Sequence, residues 1–406
     1  MRAKSQLHLI RELSDSQAAI RESIIHSMRT TALRLVESFF AEEVESLCGA
    51  RFSRKGAALC HRGGSDPGSV LLNGQRIKVT KPRLKREGKE LALQSYQALQ
   101  NFDLVSDKVT AAMLHGVSTR NYNALLDDLQ GGVGLSKSSV SRAFSRSTEM
   151  ALNNINGRDL CSYKFLAMLI DGVRFGKAMF IVALGITSDG RKIILGLREG
   201  ITENSELCKD LLSAIKDRCL NTNELLHILD GSKALRKAVI ETYGKEALIQ
   251  RCTAHKQRNL QEYLREDYHA EFRRRWKRLH GQVNYSDALK EHSALEYWLS
   301  KISEPALGSL REAEKETLTV TKLGIPQALR RSLQSTNLIE SVFAYVNLKT
   351  YRVRNWQKGK GQASRWTAFM LLDAEKKFHR INGYKLLPTL SNALQKYYLT
   401  EEKMTA

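Results

Sequence analysis

Residues 163–200 read YKFLAMLIDGVRFGKAMFIVALGITSDGRKIILGLREG, and this stretch decides the fold. It contains three apolar runs rich in β-branched residues, and a glycine-bearing turn separates each run from the next. This pattern predicts three consecutive antiparallel strands.

The sequence that follows alternates between helix and strand patterns. Residues 203–218 carry apolar side chains on one helical face, and residues 224–231 (ELLHILDG) read as a short buried strand. A second helix is predicted for residues 232–244 and a last strand for residues 246–255. The order of three strands, helix, strand, helix and strand predicts an α/β protein with a ribonuclease H-like catalytic core.

The remaining C-terminal sequence predicts helices. Residues 262–322 are polar and charged without strand-like runs, which predicts an all-helical insertion. Helical periodicity then resumes, so the predicted catalytic domain comprises residues 160–261 and 323–385. Residues 386–406 are predicted to be a C-terminal tail.

Residues 1–150 are predicted to form a mainly helical N-terminal DNA-binding region. An Asn-Gly pair in the basic stretch VLLNGQRIKVTKPRL, which follows a Gly-rich break, indicates a two-residue hairpin. Residues near 108–148 read as short helices that meet at glycine-containing turns, which favours a helix-turn-helix. A helical bundle with a solvated basic face would give the same pattern. The residues expected to contact DNA here are Lys137, Ser139, Arg142 and Arg146.

The bulk composition favours a polyanionic partner. Lysine and arginine number 64 against 43 acidic residues, which gives a formal net charge of +21 spread along the chain. Nucleic acid is the expected partner, although a merely basic protein would show the same charge. The sequence has no apolar run near the roughly 20 residues of a membrane span. We expect a cytoplasmic protein whose six scattered cysteines are reduced.

Two aspartates end apolar strands of the predicted sheet. Asp171 ends the first strand in LIDG, and Asp230 ends the fourth in HILDG. These strands are neighbours in a ribonuclease H-like sheet, so the carboxylates should meet and repel each other. Bound Mg²⁺, or Mn²⁺ in its place, would relieve the repulsion. Either Asp-Gly pair alone could equally be a turn with a capping aspartate.

Glu340 is the best candidate for a third carboxylate. It lies in a predicted amphipathic helix, in STNLIESVF, beside the apolar positions. The competing Glu312, Glu314 and Glu316 lie in a densely charged stretch and look like a solvated face. Two metal ions about 4 Å apart could activate a water or a DNA 3′-hydroxyl and stabilise the leaving oxygen.

At these residues the chain closely resembles the Mutator-type (DDE) transposases of bacterial insertion sequences, over nearly its whole length. The motifs that carry the resemblance are GVSTRNY, GLSKSSVSRAF, LIDGVRF, ILDGSKALRKAV, QRCTAHKQRNL, QSTNLIESVF and RVRNWQKGKGQASRWTAFMLLDAEKKF. The resemblance implies that Asp171, Asp230 and Glu340 form the catalytic, metal-binding triad. It implies binding to double-stranded DNA at terminal inverted repeats and target sites, and it strengthens the helix-turn-helix prediction. Because two DNA ends must be paired, we expect a homodimer or larger assembly on DNA, and the resemblance implies a bacterial, nucleoid-associated protein.

Cys252 and His255 match a Cys-x2-His signature of that family, followed by Arg258. They make half of a zinc site, and no second pair has convincing spacing. We expect His255 and Arg258 to bind the scissile phosphate or orient a catalytic carboxylate, with structural packing as the alternative. Asn337 could position Glu340 or touch DNA, and a plain surface role is equally open.

Basic and aromatic residues alternate beyond Glu340 in a Gly-rich stretch, which suits a DNA backbone track, although a solvated loop has the same composition. The residues expected to contact DNA here are Arg352, Arg354, Trp356, Lys358 and Arg365. The two tryptophans of the insertion, Trp276 and Trp298, are expected to pack in a core, with stacking on an unpaired base as the alternative.

The sequence is also compatible with two other functions. One is a ribonuclease H-like nuclease or resolvase without a joining step, and the other is a domesticated regulator that only binds DNA. The N-terminal region argues against the first, and the complete triad argues against the second.

Overall fold

In a computed structural model the chain forms two compact units, residues 1–147 and residues 148–406. The structure describes residues 30–51, 60–72, 75–100, 132–133, 137–175, 178–200, 204–218, 224–350 and 361–405, with the isolated helical positions 19, 23 and 27. None of the helices in these ranges has both the length and the apolar character that a membrane span requires.

The first unit is built around a long antiparallel hairpin. Its described elements are α1 (residues 30–48), β1 (His61–Leu72), β2 (Gln75–Arg86), β3 (Lys89–Leu91), α2 (Gln94–Leu99) and β4 (Gly132–Val133). β1 and β2 pair in a register that matches Leu72 with Gln75, which confirms the predicted hairpin. The Gly-rich stretch before it is not a break, because β1 begins at His61 and absorbs an irregularity between Arg62 and Ser65.

Two cysteines of the first unit correct the expectation of reduced thiols. Cys48, at the end of α1, and Cys60, just before β1, form a disulfide with their Cα atoms 5.2 Å apart. They belong to an apolar cluster that includes Val44, Leu84 and Leu93. The packing of a helix on the hairpin creates this pairing, so the sequence spacing does not reveal it. Of the other described cysteines, Cys161 and Cys252 form no disulfide, as expected.

The second unit is a mixed five-stranded sheet with helices. The strands are β5 (Phe165–Phe175), β6 (Ala178–Thr187), β7 (Lys192–Gly200), β8 (Leu226–Leu229) and β9 (Leu248–Arg251). α3 (Lys137–Gly157) begins in the first unit and ends in the second. The other helices are α4 (Ser205–Asp217), α5 (Lys233–Tyr243), α6 (Thr253–Glu262), α7 (His269–Gly281), α8 (Tyr285–Ser300), α9 (Glu304–Glu312), α10 (Thr319–Lys322), α11 (Gln327–Leu333), α12 (Asn337–Thr350), α13 (Gln362–Glu375) and α14 (Leu387–Thr405).

The strand order in this sheet is β7-β6-β5-β8-β9. β5, β6 and β7 form an antiparallel meander, as predicted. β8 then pairs parallel to β5, and β9 pairs parallel to β8. The expectation that the first and fourth strands are neighbours is therefore confirmed.

Different helices cover the two faces of the sheet. Met168 and Ile170 of β5 pack in one core cluster with Leu211 of α4 and Leu235 of α5. α12, α13 and α14 contact the sheet through β5 and β7. Side chains alternate between the two faces of a strand. Asp171 therefore lies on the face opposite to Ile170, where α12 packs.

Residues 262–322 are helical without any strand, as predicted, and they have a core of their own. This core contains Phe272 and Leu279 of α7, Leu295 of α8 and Leu310 of α9. Trp276 is buried in it and Trp298 packs against it, so the predicted core role of both tryptophans is confirmed.

Side chains cover both outer edges of the sheet. At β7, the backbone N–H of Ile194 donates to Glu375 Oε2 at 2.6 Å, and Arg158 donates to the Ile194 carbonyl. Arg158 also binds both carboxylate oxygens of Glu375, at 2.7 and 2.8 Å. At β9, Tyr398 Oη accepts from the N–H of Leu248 at 3.3 Å. The residues predicted as a C-terminal tail thus include a helix, α14, that contacts the sheet.

Replacing the carboxylate at the β7 edge should destabilise the second unit. Glu375→Ala removes the acceptor for one backbone N–H and leaves Arg158, 19% exposed, without its counter-charge. We expect a loss of about 1–3 kcal/mol in the free energy of unfolding. Urea unfolding followed by tryptophan fluorescence measures it, because all four tryptophans lie in this unit. Glu241→Gln, in an exposed ion pair with Lys209, is the control, with an expected loss below about 1 kcal/mol. Equal losses would contradict a special role for Glu375.

Candidate active site

Asp171 and Asp230 lie side by side on the two central strands. Asp171 is inside β5, not at its end as predicted, because β5 stays paired with β6 as far as Phe175. The parallel ladder between β5 and β8 stops at Ile170 and Leu229, one position before each aspartate. Asp171 is 5% exposed, and Asp230 is half-buried.

The surroundings of Asp171 oppose its ionisation. Burial raises the pKa of its carboxyl to about 8, and the negative charges of Asp230 and Glu340 act in the same direction. His255 opposes this shift as a nearby positive charge, as does the hydrogen bond from the backbone N–H of Gly172. The three predicted carboxylates therefore lie close enough to affect one another electrostatically.

One carboxylate oxygen of each aspartate accepts a hydrogen bond from a backbone N–H one or two residues later in the chain. Asp171 Oδ1 accepts from the N–H of Gly172 at 2.8 Å, and Asp230 Oδ1 accepts from the N–H of Ser232 at 2.9 Å. Neither Oδ2 accepts a hydrogen bond from any residue that the structure describes. One carboxylate oxygen of each aspartate is thus left for an external ligand.

Glu340 is held at the start of α12 by Thr336, one helical turn earlier. The Thr336 hydroxyl donates to Glu340 Oε1 at 2.8 Å, and its carbonyl accepts from the Glu340 N–H at 3.0 Å. On the other side, Arg258 Nη2 lies 3.5 Å from Glu340 Oε2. The sequence reading missed Thr336. The preference of helix N-termini for threonine was the available signal.

Cys252 and His255 support the same threonine. β9 ends at Arg251, earlier than predicted, and Cys252 caps α6 by accepting from the His255 N–H at 3.5 Å. The N–H of Thr336 also donates to Cys252 Sγ, at 3.3 Å. Burial raises the pKa of the Cys252 thiol, but the hydrogen bonds from His255 and Thr336 outweigh burial and lower it overall.

His255 connects this group to the carboxylates. Its Nδ1 lies 3.2 Å from Thr336 Oγ1 and 3.8 Å from Glu340 Oε1. The hydrogen bond with Cys252 raises the pKa of His255, and the charges of Asp171 and Glu340 raise it further. The geometry places His255 and Arg258 against Glu340. Asn337, in contrast, is exposed at the first residue of α12.

Cys252 also belongs to a cluster that resembles part of a zinc site. Ligand atoms of Cys252, His255 and Glu340 lie within 4.8 Å of one another, which is three of the four donors of a tetrahedral zinc site. Cys252 Sγ already accepts N–H groups from two residues. These contacts indicate a support for Glu340 rather than a ligand set.

A buried ion network lies behind Asp230. Gly231 has φ +119°, and a Cβ there would lie 2.8 Å from Arg251 Nε. Arg251 Nη2 donates to the Gly231 carbonyl at 3.0 Å and pairs with Glu312 Oε2 at 2.9 Å. Lys256, 2% exposed, also binds Glu312, at 3.0 Å.

This network corrects the prediction of a solvated acidic face. Glu312 is bound by Arg251 and Lys256, and Glu316, 16% exposed, pairs with Arg236 at 2.6 Å. Only Glu314 keeps a mostly exposed side chain, at 70%. The charged end of the helical segment is therefore anchored beside Asp230.

The predicted DNA contacts are only partly within the described residues. Arg142 and Arg146 are exposed on α3, and Arg365 on α13 is half-buried and donates to Thr148 Oγ1 at 3.4 Å. Lys137 and Ser139 lie in α3, where their side chains are outside the described part. Most of the predicted helix-turn-helix also lies outside it, as do Arg352, Arg354, Trp356 and Lys358.

Known proteins are similar in sequence to this chain over most of its length. Residues 2–380 match the family model described as Transposase, Mutator family. The chain is 28% identical over 279 residues to the transposase for insertion sequence element IS6120 of Mycolicibacterium smegmatis, which covers 66% of this chain and 84% of that protein. It is 27% identical over 340 residues to the transposase for ISRM5 of Rhizobium meliloti, covering 80% of this chain and 81% of that one. The chain belongs to the Mutator family of transposases.

Neutralising Glu312 should cost more stability than neutralising its neighbour Glu314. Glu312→Gln leaves the buried charges of Arg251 and Lys256 without their carboxylate. We expect a loss of about 2–3 kcal/mol in unfolding free energy, less than for a fully buried pair because Glu312 is 37% exposed. Glu314→Gln is the matched control and should change stability by less than about 0.5 kcal/mol. Urea unfolding of both variants tests the difference, and a reversed order would refute the network.

Asp171→Asn should change how stability depends on pH. A carboxyl whose pKa is higher in the folded than in the unfolded chain takes up a proton on folding. The folded wild type therefore loses stability as pH rises from the ordinary aspartate pKa of 3.8 to about 8. In EDTA, the variant should be the more stable protein at pH 8, and its advantage should vanish near pH 4. A constant difference across this range would contradict the raised pKa.

Proposed function

We propose that this chain is a DDE transposase, which cleaves DNA at the terminal inverted repeats of its insertion sequence and joins the ends to target DNA. The observation that carries the proposal is the convergence of Asp171, Asp230 and Glu340, from two central strands and a covering helix. Membership of the Mutator family supports the same function.

The sheet supports a ribonuclease H-like core. An antiparallel meander is followed by two parallel strands beside the first, and the aspartates lie on the central pair. The helical residues 262–322 then correspond to the insertion that separates the second aspartate from the glutamate. The helix-turn-helix of the N-terminal region remains part of this proposal.

The residues present fit a pair of Mg²⁺ or Mn²⁺ ions. Asp171 and Asp230 each have an oxygen that accepts no hydrogen bond from the described residues, and their mutual repulsion marks a place where a cation is favourable. All-oxygen donors are the preference of these hard cations. Asp171, Asp230 and Glu340 would hold the ions, which would supply an activated water or 3′-hydroxyl and stabilise the leaving oxygen.

The surrounding side chains have separate tasks. Thr336 and Arg258 fix the direction of the Glu340 carboxylate from opposite sides. Arg258 is 55% exposed, so it can also donate to a DNA phosphate. His255, with its raised pKa, adds positive charge where the scissile phosphate would lie. Arg251 holds the backbone at Gly231 and so positions Asp230.

DNA is the proposed partner at several surfaces of the chain. The exposed Arg142 and Arg146 on α3 suit backbone contacts. Lys137 and Ser139, and the basic aromatic stretch from Arg352 to Lys358, belong to the same proposal. Because two element ends must be brought together, we propose a homodimer or larger assembly on DNA.

The decisive experiment uses the purified full chain, Mg²⁺ and a labelled duplex that carries the terminal repeat of the element. Wild type should cleave the duplex and form joined products. Asp171→Ala should abolish both while retaining DNA binding. Asp287→Ala, a change in an exposed Asp287–Lys290 pair of the same unit, should leave the products unchanged.

The remaining outcomes separate the competing functions. Cleavage without joined products would identify a nuclease or resolvase. Binding without metal-dependent chemistry would identify a DNA-binding regulator and refute the transposase proposal. As a second readout, Ca²⁺ at pH 8 should raise the melting temperature of wild type more than that of Asp171→Asn.

A further inference from the structure

A basic cavity lies at the outer edge of β7, away from the three carboxylates. Its volume is about 240 Å³, below the range of roughly 300–1,000 Å³ typical of small-molecule pockets. The charged side chains that line it are four cations and a single carboxylate: Arg158, Arg191, Lys192, Arg380 and Glu375. A cavity of this size and charge suits a small anionic group rather than a large cofactor.

Two of these cations are already compensated and two are not. Arg158 is bound to Glu375 through two hydrogen bonds, and Arg191 Nε pairs with Asp189 Oδ2 at 2.8 Å. Lys192 and Arg380 have no carboxylate within ion-pair distance among the described residues. The cavity therefore carries positive charge that the protein itself does not neutralise.

Lys192 is held in the cavity wall without a counter-ion. Its Nζ lies 4.8 Å from the centre of the Phe378 ring, and the side chain is half-buried. Burial lowers the pKa of Lys192, because no carboxylate offsets its loss of water. An anion in the cavity would supply the missing partner.

The aromatic residues hold the cations in place. Phe378 has Lys192 over its ring, and Tyr163 has the guanidinium of Arg191 over its ring at 5.5 Å. With cations over both rings, the cavity offers charged donors rather than a stacking platform for a base. Recognition of this kind is independent of base sequence.

We propose that this cavity binds a phosphate of the DNA backbone at a distance from the cleavage site. The proposal rests on the proposed function, because DNA is the polyanion that a transposase handles. Lys192 pairs with Ile186 at the end of the sheet where β5 begins, whereas Asp171 lies well along β5. Ala167 of β5 also pairs with Ile186, so Asp171 lies four residues further along and two strands across from Lys192. At about 3.3 Å per residue and about 4.8 Å per strand, the two sites are roughly 16 Å apart, which corresponds to about five nucleotide steps of one strand.

The test measures how salt affects DNA binding by the full chain. The double variant Lys192→Gln/Arg380→Gln removes the two uncompensated cations. Lys209→Gln/Lys237→Gln is the matched control, because it also removes two positive charges. Both lysines already pair with Glu241, and they lie on α4 and α5, outside the cavity. Affinity for a short duplex of mixed sequence is measured at several salt concentrations.

The logarithm of the affinity decreases linearly with the logarithm of the salt concentration. The magnitude of this slope should be smaller by about one to two in the cavity variant and should stay at the wild-type value in the control. Arg380 is exposed, so the single change Arg380→Gln leaves the fold intact even if the double variant is unstable. This single variant should lower the slope by about one.

The outcomes distinguish the two proposals. If wild type cleaves and joins DNA but the variants keep its slope, the cavity proposal fails and the proposed function stands. If wild type shows no salt-dependent DNA binding, both proposals fail. Calorimetric titration with inorganic phosphate tests the other source of the anion. If the Arg380→Gln variant loses phosphate binding but keeps the wild-type salt dependence of DNA binding, the cavity binds free phosphate and the DNA proposal is overturned.

Discussion

The parallel pairing of β5 with β8 is the constraint on which the site depends. Four residue pairs, from Ala167–Leu226 to Ile170–Leu229, fix the two strands, and the aspartates occupy the next position on each. The two carboxylates cannot separate without breaking this ladder. The pairing of the strands therefore forces two partly buried carboxylates to repel each other, and nearby positive groups such as His255 partly offset this repulsion.

Residues between Asp230 and Glu340 make contacts that hold both carboxylates in place. At one end, Glu312 binds Arg251 and Lys256 and so holds the backbone that carries Asp230. At the other end, Thr336 binds Cys252, His255 and Glu340 just as α12 begins. Residues 251–258, at the end of β9 and the start of α6, therefore position both the second aspartate and the glutamate.

Much of the second unit is predictable from sequence, because its strands are continuous apolar runs and its helices have clear periodicity. The neighbouring positions of Asp171 and Asp230 follow from strand order. The continuation of β5 beyond Asp171 does not, because it depends on the length of its partner β6.

Long-range side-chain contacts escaped prediction for a common reason. The Cys48–Cys60 disulfide, the Thr336 contacts and the Glu312 network each join segments that local patterns treat separately. A charged stretch such as residues 311–316 looks solvated until its basic partners are placed by the fold. Charge composition alone therefore cannot distinguish an exposed acidic face from an anchoring one.

The covered edges of the sheet have a consequence for how copies of this chain can meet. Arg158 and Glu375 bind the backbone carbonyl and N–H of Ile194, Tyr398 binds the N–H of Leu248, and Thr319 binds the carbonyl of Ile249. With these groups taken, a strand from another molecule has no free ladder to extend at these positions. Pairing of copies of the chain through these two edges of the five-stranded sheet is thereby disfavoured.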